Sequence, residues 1–429
     1  MSGLRFAMLT TFYPPHNFGG DGIAIQRLSR ALALRGHHVT VIHDVDAFNA
    51  LHHGPEPAPQ HDIDGIDVVP LRSGMRVLSP MLTQQTGRPV FNGSRIARIL
   101  REREIDVTIF HNISLIGGPG LLREGRGVRL YEAHEHWLVC PTHVLWRHGR
   151  ELCTGRECLR CVLRQGRPPQ AWRYTGALER ELCNVDAFIA KSAFSRDKHH
   201  EFGFSREMEV IPYFLPETGP ANVVPAHSPG DAVQPSVNEG RPYFLFVGRL
   251  ERIKGLDDVI PAFGRFPEAD LLIAGDGEHG ETLRRMSGGK GNVRFLGRLA
   301  PDRLAELYRN ALALIVPSVC FETFGIILIE AFQQGTPVIA RRIGPFPEII
   351  ERAEAGLLFE TTDDMLGTMR RVWQESGLRQ TLAANGRAAF QRFWSEQAVV
   401  PLYLDLVRRI AEEKGERRIV ETLLAGSIA

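Results

Sequence analysis

Tyr243-Phe244-Leu245-Phe246-Val247-Gly248-Arg249-Leu250-Glu251-Arg252-Ile253-Lys254-Gly255 begins as an apolar run and ends as a glycine-bounded loop with cations at Arg249 and Lys254. The run reads as a strand, and a loop at its carboxyl end is where parallel α/β sheets place ligands. Two cations there can hold a diphosphate. The spacing alone would also suit a surface turn, and the position after a strand is what favours a ligand.

Downstream, Leu271 to Ala274, Val293 to Leu296, Ala313 to Val316, Pro337 to Ala340 and Leu357 to Phe359 repeat the strand pattern with helical segments between them. Gly275-Asp276-Gly277 reads as a tight turn beside the same crevice. The helix Asp302 to Asn310 opens on Pro301, where a missing amide hydrogen costs little. These alternations predict a Rossmann-like lobe over 242–395. From Asp363 to Glu413 the pattern is helical, and a helical segment over 396–429 is expected to pack across both lobes.

Upstream, Glu217 to Pro242 holds five Pro and little apolar periodicity, which predicts a linker over 217–241. Before it lies a second alternation over 1–216. Arg5 to Thr10 reads as a strand, Phe12 to Gly22 as a Pro/Gly-rich loop, Ile23 to Leu34 as a helix stopped at Gly36, and Val39 to His43 as the next strand. Arg95 to Glu104 follows as a basic helix, with strands at Val107 to His111, Arg129 to Ala133 and Ala187 to Ala190. The fold class is therefore α/β, with two Rossmann-like lobes expected to face an interdomain crevice.

Composition excludes several other classes. The 429 residues are too many for one ordinary core, and 43% hydrophobic with 24% charged residues describes a packed globular chain. Lys+Arg 51 against Asp+Glu 50 gives a formal charge of +1, so no global positive field points to nucleic acid as a partner. No apolar stretch reaches the roughly 18 to 20 residues that span a bilayer, and the expected location is cytoplasmic.

Phe321-Glu322-Thr323-Phe324-Gly325-Ile326-Ile327-Leu328-Ile329-Glu330-Ala331 sets two carboxylates eight residues apart across a strand end and a new helix. Eight helical residues would span about 12 Å, too far for the paired carboxyls of a retaining glycosidase, so the two must do separate jobs. Gly325 lets a ligand approach the backbone, and the first amides of the helix would face a phosphate. Read alone, Glu322 could equally be an acid at a helix start and Glu330 a solvated helix residue.

Together these segments resemble the GT4 family of GT-B glycosyltransferases over nearly the whole chain. The resemblance is carried by Tyr13-Pro14-Pro15 with Gly19-Gly20, Arg35 to Val41, Phe246 to Leu250 with Lys254-Gly255, Ala274 to Gly277, the Glu322 and Glu330 pair, and Gly335 to Ala340. It implies that the second lobe binds a nucleotide sugar and the first supplies the acceptor. Arg249 and Lys254 would bind the diphosphate, Glu330 the ribose hydroxyls, and Glu322 the transferred sugar, with the amides of Phe324, Gly325 and Ile326 lining sugar and phosphate. In the first lobe, Gly19 and Gly20 would admit phosphate or acceptor, and Asp21 could bond an acceptor hydroxyl. His134-Glu135-His136-Trp137-Leu138-Val139-Cys140-Pro141 is similar to the family's HDxWxxCP segment, with Glu135 in place of Asp. His134 then corresponds to the histidine that approaches the donor sugar.

Cys140, Cys153, Cys158 and Cys161 have ligand-like spacings that could close a structural zinc site, hold an iron–sulfur cluster, or remain reduced or form a local disulfide. Arg95 to Arg101 could rest peripherally on acidic lipid at the inner membrane face, or be a solvated helix face.

The expected activity is transfer of a hexose from a nucleotide diphosphate sugar to a hydroxyl of a saccharide or lipid-linked acceptor, in polysaccharide or glycolipid biosynthesis. Retention of the anomeric configuration is implied by the resemblance. No DxD-type motif is present and two cations can neutralise the diphosphate, so no catalytic metal is expected. A sugar phosphorylase, a nucleotide-sugar epimerase and a non-catalytic nucleotide-sugar-binding protein are the alternatives.

Overall fold

The computed structural model describes residues 3–52, 54–58, 62–217, 240–289 and 291–426. The chain separates into two compact units: Met1–Tyr213 with Glu396–Ala429, and Phe214–Ser395. Most of the expected linker, residues 218–239, lies outside the described residues.

In the first unit the strands are β1 (Arg5–Thr10), β2 (His38–Asp44), β3 (Ile66–Leu71), β4 (Val107–Phe110) and β5 (Val128–Ala133), then a small hairpin of β6 (Trp146–Arg147) and β7 (Glu151–Leu152), then β8 (Ala187–Ala190) and β9 (Met208–Val210). All but the hairpin join one parallel sheet in the order β3-β2-β1-β4-β5-β8-β9. Strand order reverses between β1 and β4. Parallel strands covered on both faces become continuous apolar runs, and β1 and β4 are accordingly buried almost throughout. The two strands the sequence did not predict, β3 and β9, are the edges. Pro70 and Asp67 blur the signal of β3, and an edge tolerates both because one side of its backbone needs no ladder partner.

The second unit holds β10 (Tyr243–Val247), β11 (Asp270–Ala274), β12 (Val293–Gly297), β13 (Leu314–Val316), β14 (Val338–Arg341) and β15 (Gly356–Phe359). They form a parallel sheet in the order β12-β11-β10-β13-β14-β15, reversing between β10 and β13. Helix Pro301–Asn310 does start on its proline. Helix Thr362–Gln374 starts with a capping box, in which Thr361 accepts from the Asp364 amide and Asp364 from the Thr361 amide.

The C-terminal helices correct the sequence reading. Thr362–Gln374 and Ser376–Phe393 belong to the second unit, whereas Glu396–Lys414 and Arg417–Gly426 belong to the first rather than forming a segment of their own. Glu396 pairs with Arg35 at 2.6 Å, Lys414 with Asp186 at 2.7 Å and Arg418 with Asp106 at 2.6 Å. Tyr403 donates to Glu132 at 3.0 Å in the interior. The expected boundary at residue 216 falls three residues earlier, after Tyr213, because Leu215 bonds through its amide to Trp394 of the second unit.

Helix Gly93–Glu102 turns Ile96, Ile99 and Leu100 into the core, so its apolar face is already used and Arg98 and Arg101 remain on the solvated side. Among the described residues no helix is long and apolar enough to cross a membrane.

Candidate active site

In doubly wound parallel sheets ligands bind outside the carboxyl ends of the strands where the strand order reverses, because the connections on either side leave in opposite directions. In the second unit this point is flanked by the loop after β10, which carries Arg249 and Lys254, and the loop after β13, which carries Ser318 and Glu322. The two loops are locked together. Val319 donates its amide to the Ile253 carbonyl at 2.9 Å. Gly255, at φ +75°, lies so near Pro317 that a Cβ would sit 2.1 Å from the Pro317 carbonyl oxygen. Any side chain there would prise the loops apart. Beneath them, Leu250 donates to the Asp276 carbonyl at 2.9 Å and Gly275 to that of Gly297 at 2.7 Å, so the Gly275-Asp276-Gly277 turn supports the cation loop as the sequence suggested.

Lys254 Nζ lies 2.5 Å from Oε1 of Glu322, which also accepts from Ser318 Oγ at 3.2 Å. Burial pushes the Glu322 carboxyl up, but the Lys254 ammonium, its hydrogen bond, the Ser318 hydroxyl and Arg249 outweigh it and hold the carboxyl below its ordinary range. Burial likewise opposes the charge on Lys254, and Glu322 reverses that effect and raises its pKa. Both stay ionised at neutral pH. Arg249 is more exposed and pairs with Glu251 at 2.9 Å.

Glu322 does not begin the helix. Phe324 is buried, Gly325 stands before the first turn at φ +106°, and the helix runs Ile326–Gln334. Only the stretch from Ile326 to Glu330 is helical, so the two glutamates are not separated by eight helical residues, and the 12 Å span expected from sequence does not apply. Their separate roles rest instead on separate partners. Glu330 accepts from the Tyr308 hydroxyl at 3.2 Å, while Glu322 is held by Lys254. The first amides of helix Ile326–Gln334 have no carbonyl within the helix to bond and suit an anion.

In the first unit the loop after β1 leads through Gly19 into helix Gly20–Leu34. Asn17 Nδ2 donates to the Gly19 carbonyl at 2.6 Å, shaping the turn. Asp21 accepts from the Gly22 amide at 2.9 Å and lies 3.5 Å from Asn112 Nδ2, which follows β4. Burial, and then the negative charge of Glu135, raise the Asp21 carboxyl above its ordinary value. Glu135 Oε1 in turn lies 2.5 Å from His143 Nδ1. Gly19, Gly20, Asp21, Asn112 and Glu135 thus come together around the carboxyl ends of β1, β4 and β5.

His134 follows β5 and lies in a polar network of the first unit. Its side chain is 2% exposed, with Nε2 2.9 Å from His111 Nδ1 and Nδ1 2.6 Å from the Tyr213 hydroxyl. Beside it, Glu132 Oε1 binds Lys191 Nζ at 2.5 Å. Burial lowers the His134 pKa to about 3, with the nearby positive charges of His111 and Lys191 adding to it against the pull of Glu132. The ring is a neutral, engaged member of a buried polar network. Sequence reading missed Glu132, Lys191, Tyr213 and Tyr403 in that network, and Ser318 and Tyr308 in the other unit. Ser318 could have been found from its position just after β13. Nothing local marks Tyr308, which reaches Glu330 from a helix 22 residues away in sequence.

Two family models match this chain: Glycosyltransferase Family 4 over residues 18–215 and Glycosyl transferases group 1 over residues 231–389. The chain belongs to the family-4 glycosyltransferases. It is 26% identical to the glycogen synthase of Mycobacterium tuberculosis over 97% of this chain and 96% of that one. It is 33% identical to an uncharacterized glycosyltransferase of Methanocaldococcus jannaschii, over 35% of this chain and 40% of that one. Most of the relatives compared are matched over less than two thirds of their own length. Among solved structures, a sucrose-phosphate synthase of Thermosynechococcus elongatus aligns with a TM-score of 0.71 at 19% identity, over 96% of this chain and all of that one. Anabaena HepE in complex with UDP-glucose aligns with a TM-score of 0.60 at 17% identity, over 96% and 100%. This glycosyltransferase therefore has the α/β GT-B fold.

Proposed function

We propose that the enzyme is a retaining hexosyltransferase that moves a hexose from a nucleotide diphosphate sugar to a hydroxyl of a saccharide or lipid-linked acceptor. The observation that carries this reading is the Lys254–Glu322 pair at the strand-order reversal of the second unit, beside the amides that open helix Ile326–Gln334. A nucleotide sugar presents a ribose, a diphosphate and a hexose. The site offers a carboxylate at Glu330, cations at Arg249 and Lys254 with helix amides behind Gly325, and a carboxylate at Glu322. HepE is solved with UDP-glucose, so a uridine donor is the first to try.

As the glycosidic bond breaks, charge gathers on the leaving diphosphate and positive character on the sugar. Arg249 and Lys254 stabilise the first without a divalent ion. Glu322, kept ionised by Lys254, is placed for the second. Neither glutamate acts as a covalent nucleophile in this scheme: the acceptor attacks from the face the diphosphate leaves, and a donor phosphate oxygen takes its proton. Asp21 would bond the acceptor hydroxyl. A phosphorylase would use inorganic phosphate as acceptor, and an epimerase would return an altered donor. NMR of the fresh product separates these: a new glycoside with the donor's anomeric configuration supports the proposal, and an inverted anomer, a sugar phosphate or an isomerised donor rejects it.

A further inference from the structure

The four clustered cysteines border one small cavity. Cys140, Cys153, Cys158 and Cys161 line it with Trp146 and Arg147, and its space for a water-sized occupant is about 20 Å³. That is room for one water-sized occupant. All four are free thiols.

The segment around them is anchored by the buried Leu145 and by the Cys153 amide bonding the Leu145 carbonyl at 2.8 Å, but it has little regular structure. Between Cys140 and Cys158 its regular structure is limited to the two-residue strands β6 and β7. His143, Leu145 and His148 sit there at positive φ, a conformation that non-glycine residues resist. Leu159 and Leu163, on the short helix carrying Cys158 and Cys161, are exposed rather than packed. Val162 and Cys161 on the same helix are buried, and a cross-link between the hairpin and that helix would add to the bonds that already join them, from Gln165 to the Trp146 carbonyl and from the His148 amide to Cys161.

The sulfurs also have polar company. Cys161 Sγ lies 3.2 Å from the His148 amide nitrogen and 3.4 Å from Gln165 Nε2, both donors suited to a thiolate. Cys140 Sγ lies 3.3 Å from Thr142 Oγ1. Arg147 acts electrostatically on Cys153, Arg156 on Cys158, and Arg173 on both Cys140 and Cys158.

We propose that Cys140, Cys153, Cys158 and Cys161 bind one structural zinc ion that fixes the loop after β5. Each thiol releases its proton to solvent, and the resulting centre has a net charge of −2, which Arg156 and Arg173 offset; Arg147 is already paired with Glu151, and Glu157 also borders the cavity. With Zn–S distances of about 2.3 Å the sulfurs must stand about 3.8 Å apart. Binding therefore requires the sulfurs to move inward, since among the described residues the one group of three or more ligand-type side chains already within 4.8 Å of each other is His111, Glu132 and His134. There the Lys191 ammonium already supplies the positive charge at Glu132.

The test is made on the full chain, purified reduced and without chelator. Elemental analysis should give about one zinc per chain, and cobalt exchanged into the site should show the sulfur-to-metal charge-transfer and intense visible bands of tetrahedral thiolate coordination. Cys161→Ser should lower the zinc content at least severalfold, while Cys183→Ser, an exposed thiol elsewhere, should keep it. If Cys161→Ser does not fold, thiol counting on the native wild-type protein decides: four thiols should resist a thiol reagent until a chelator is added. No zinc in protein from zinc-supplemented cultures, octahedral cobalt spectra, or an iron chromophore with inorganic sulfide would each overturn the proposal.

Discussion

Lys254 Nζ and Glu322 Oε1 stand 2.5 Å apart although 68 residues separate them in the chain, and each is held charged chiefly by the other. Lys254→Ala is expected to lower kcat/KM on the order of 10²-fold or more, because it removes a cation from the leaving diphosphate and also the partner that holds Glu322. Glu322→Gln should leave nucleotide diphosphate affinity within a few-fold of wild type while lowering kcat. Calorimetric titration with nucleotide diphosphate alongside steady-state kinetics checks both, and equal binding losses in the two variants would contradict the division of roles.

Tyr308 donates to Glu330 from a neighbouring helix, so it positions the carboxylate expected to bind ribose. Glu330→Ala should weaken binding of free nucleotide diphosphate roughly 10²-fold. Tyr308→Phe should weaken it by about 10-fold, near the low end of the roughly 1.5 to 3 kcal/mol of one hydrogen bond to a charged group. The effect of Tyr308→Phe should vanish in the Glu330→Ala background. Additive losses in the double variant would show that Tyr308 acts elsewhere.

Glu132 and Lys191 form a fully buried ion pair in the first unit, with Tyr403 bonded to both. Burial opposes the charge on Glu132, and Lys191 with the neighbouring histidines lowers its pKa to about 2 regardless. Lys191→Met should therefore strand a carboxylate in the interior and cost about 3 to 5 kcal/mol. Adding Glu132→Gln should recover much of that loss. Urea denaturation of the two variants measures it, and a single variant as stable as wild type would mean the pair is not closed in the native protein.

Several buried histidines make the protein sensitive to mild acid. Burial lowers His43 and His134 to about 3, His111 and His199 to about 4, and His136 well below its ordinary value. Because these folded pKa values are depressed, the unfolded chain takes up protons first. The stability tied to the neutral rings is thus complete above about pH 6.5 and is lost as pH falls from there towards 3 to 4. Each pH unit over which one ring is charged only in the unfolded chain costs about 1.4 kcal/mol. Burial also raises Asp44 to about 7, so its carboxyl takes up a proton in the folded state first and opposes the histidines over the same range. The five rings outweigh that one group, so thermal denaturation should show a falling Tm between pH 7 and pH 5, and a flat profile would refute the assignment.

The sequence alone determined the architecture, because a strand buried on both faces and a helix with one buried face leave different periodicities in the chain. β1, β2, β4, β5, β8 and β10 to β15 were all readable from their apolar runs. β3 and β9 were not: Asp67 and Pro70 interrupt the first, and the second is only the three residues Met208–Val210 with Glu209 at its centre, whereas β12 and β15, the edges of the second sheet, kept readable apolar runs. Glycine-bounded loops pointed to Arg249, Lys254, Gly325 and Glu330, whose local spacing survives in one dimension. Tertiary structure alone decided the pairings. Whether Glu322 meets Lys254 or Glu330, which side chains surround His134, and to which unit Glu396–Lys414 returns all depend on contacts between residues tens to hundreds of positions apart. No local propensity encodes such contacts. They are set by which packing of the whole chain buries most apolar surface while leaving each buried charge a partner.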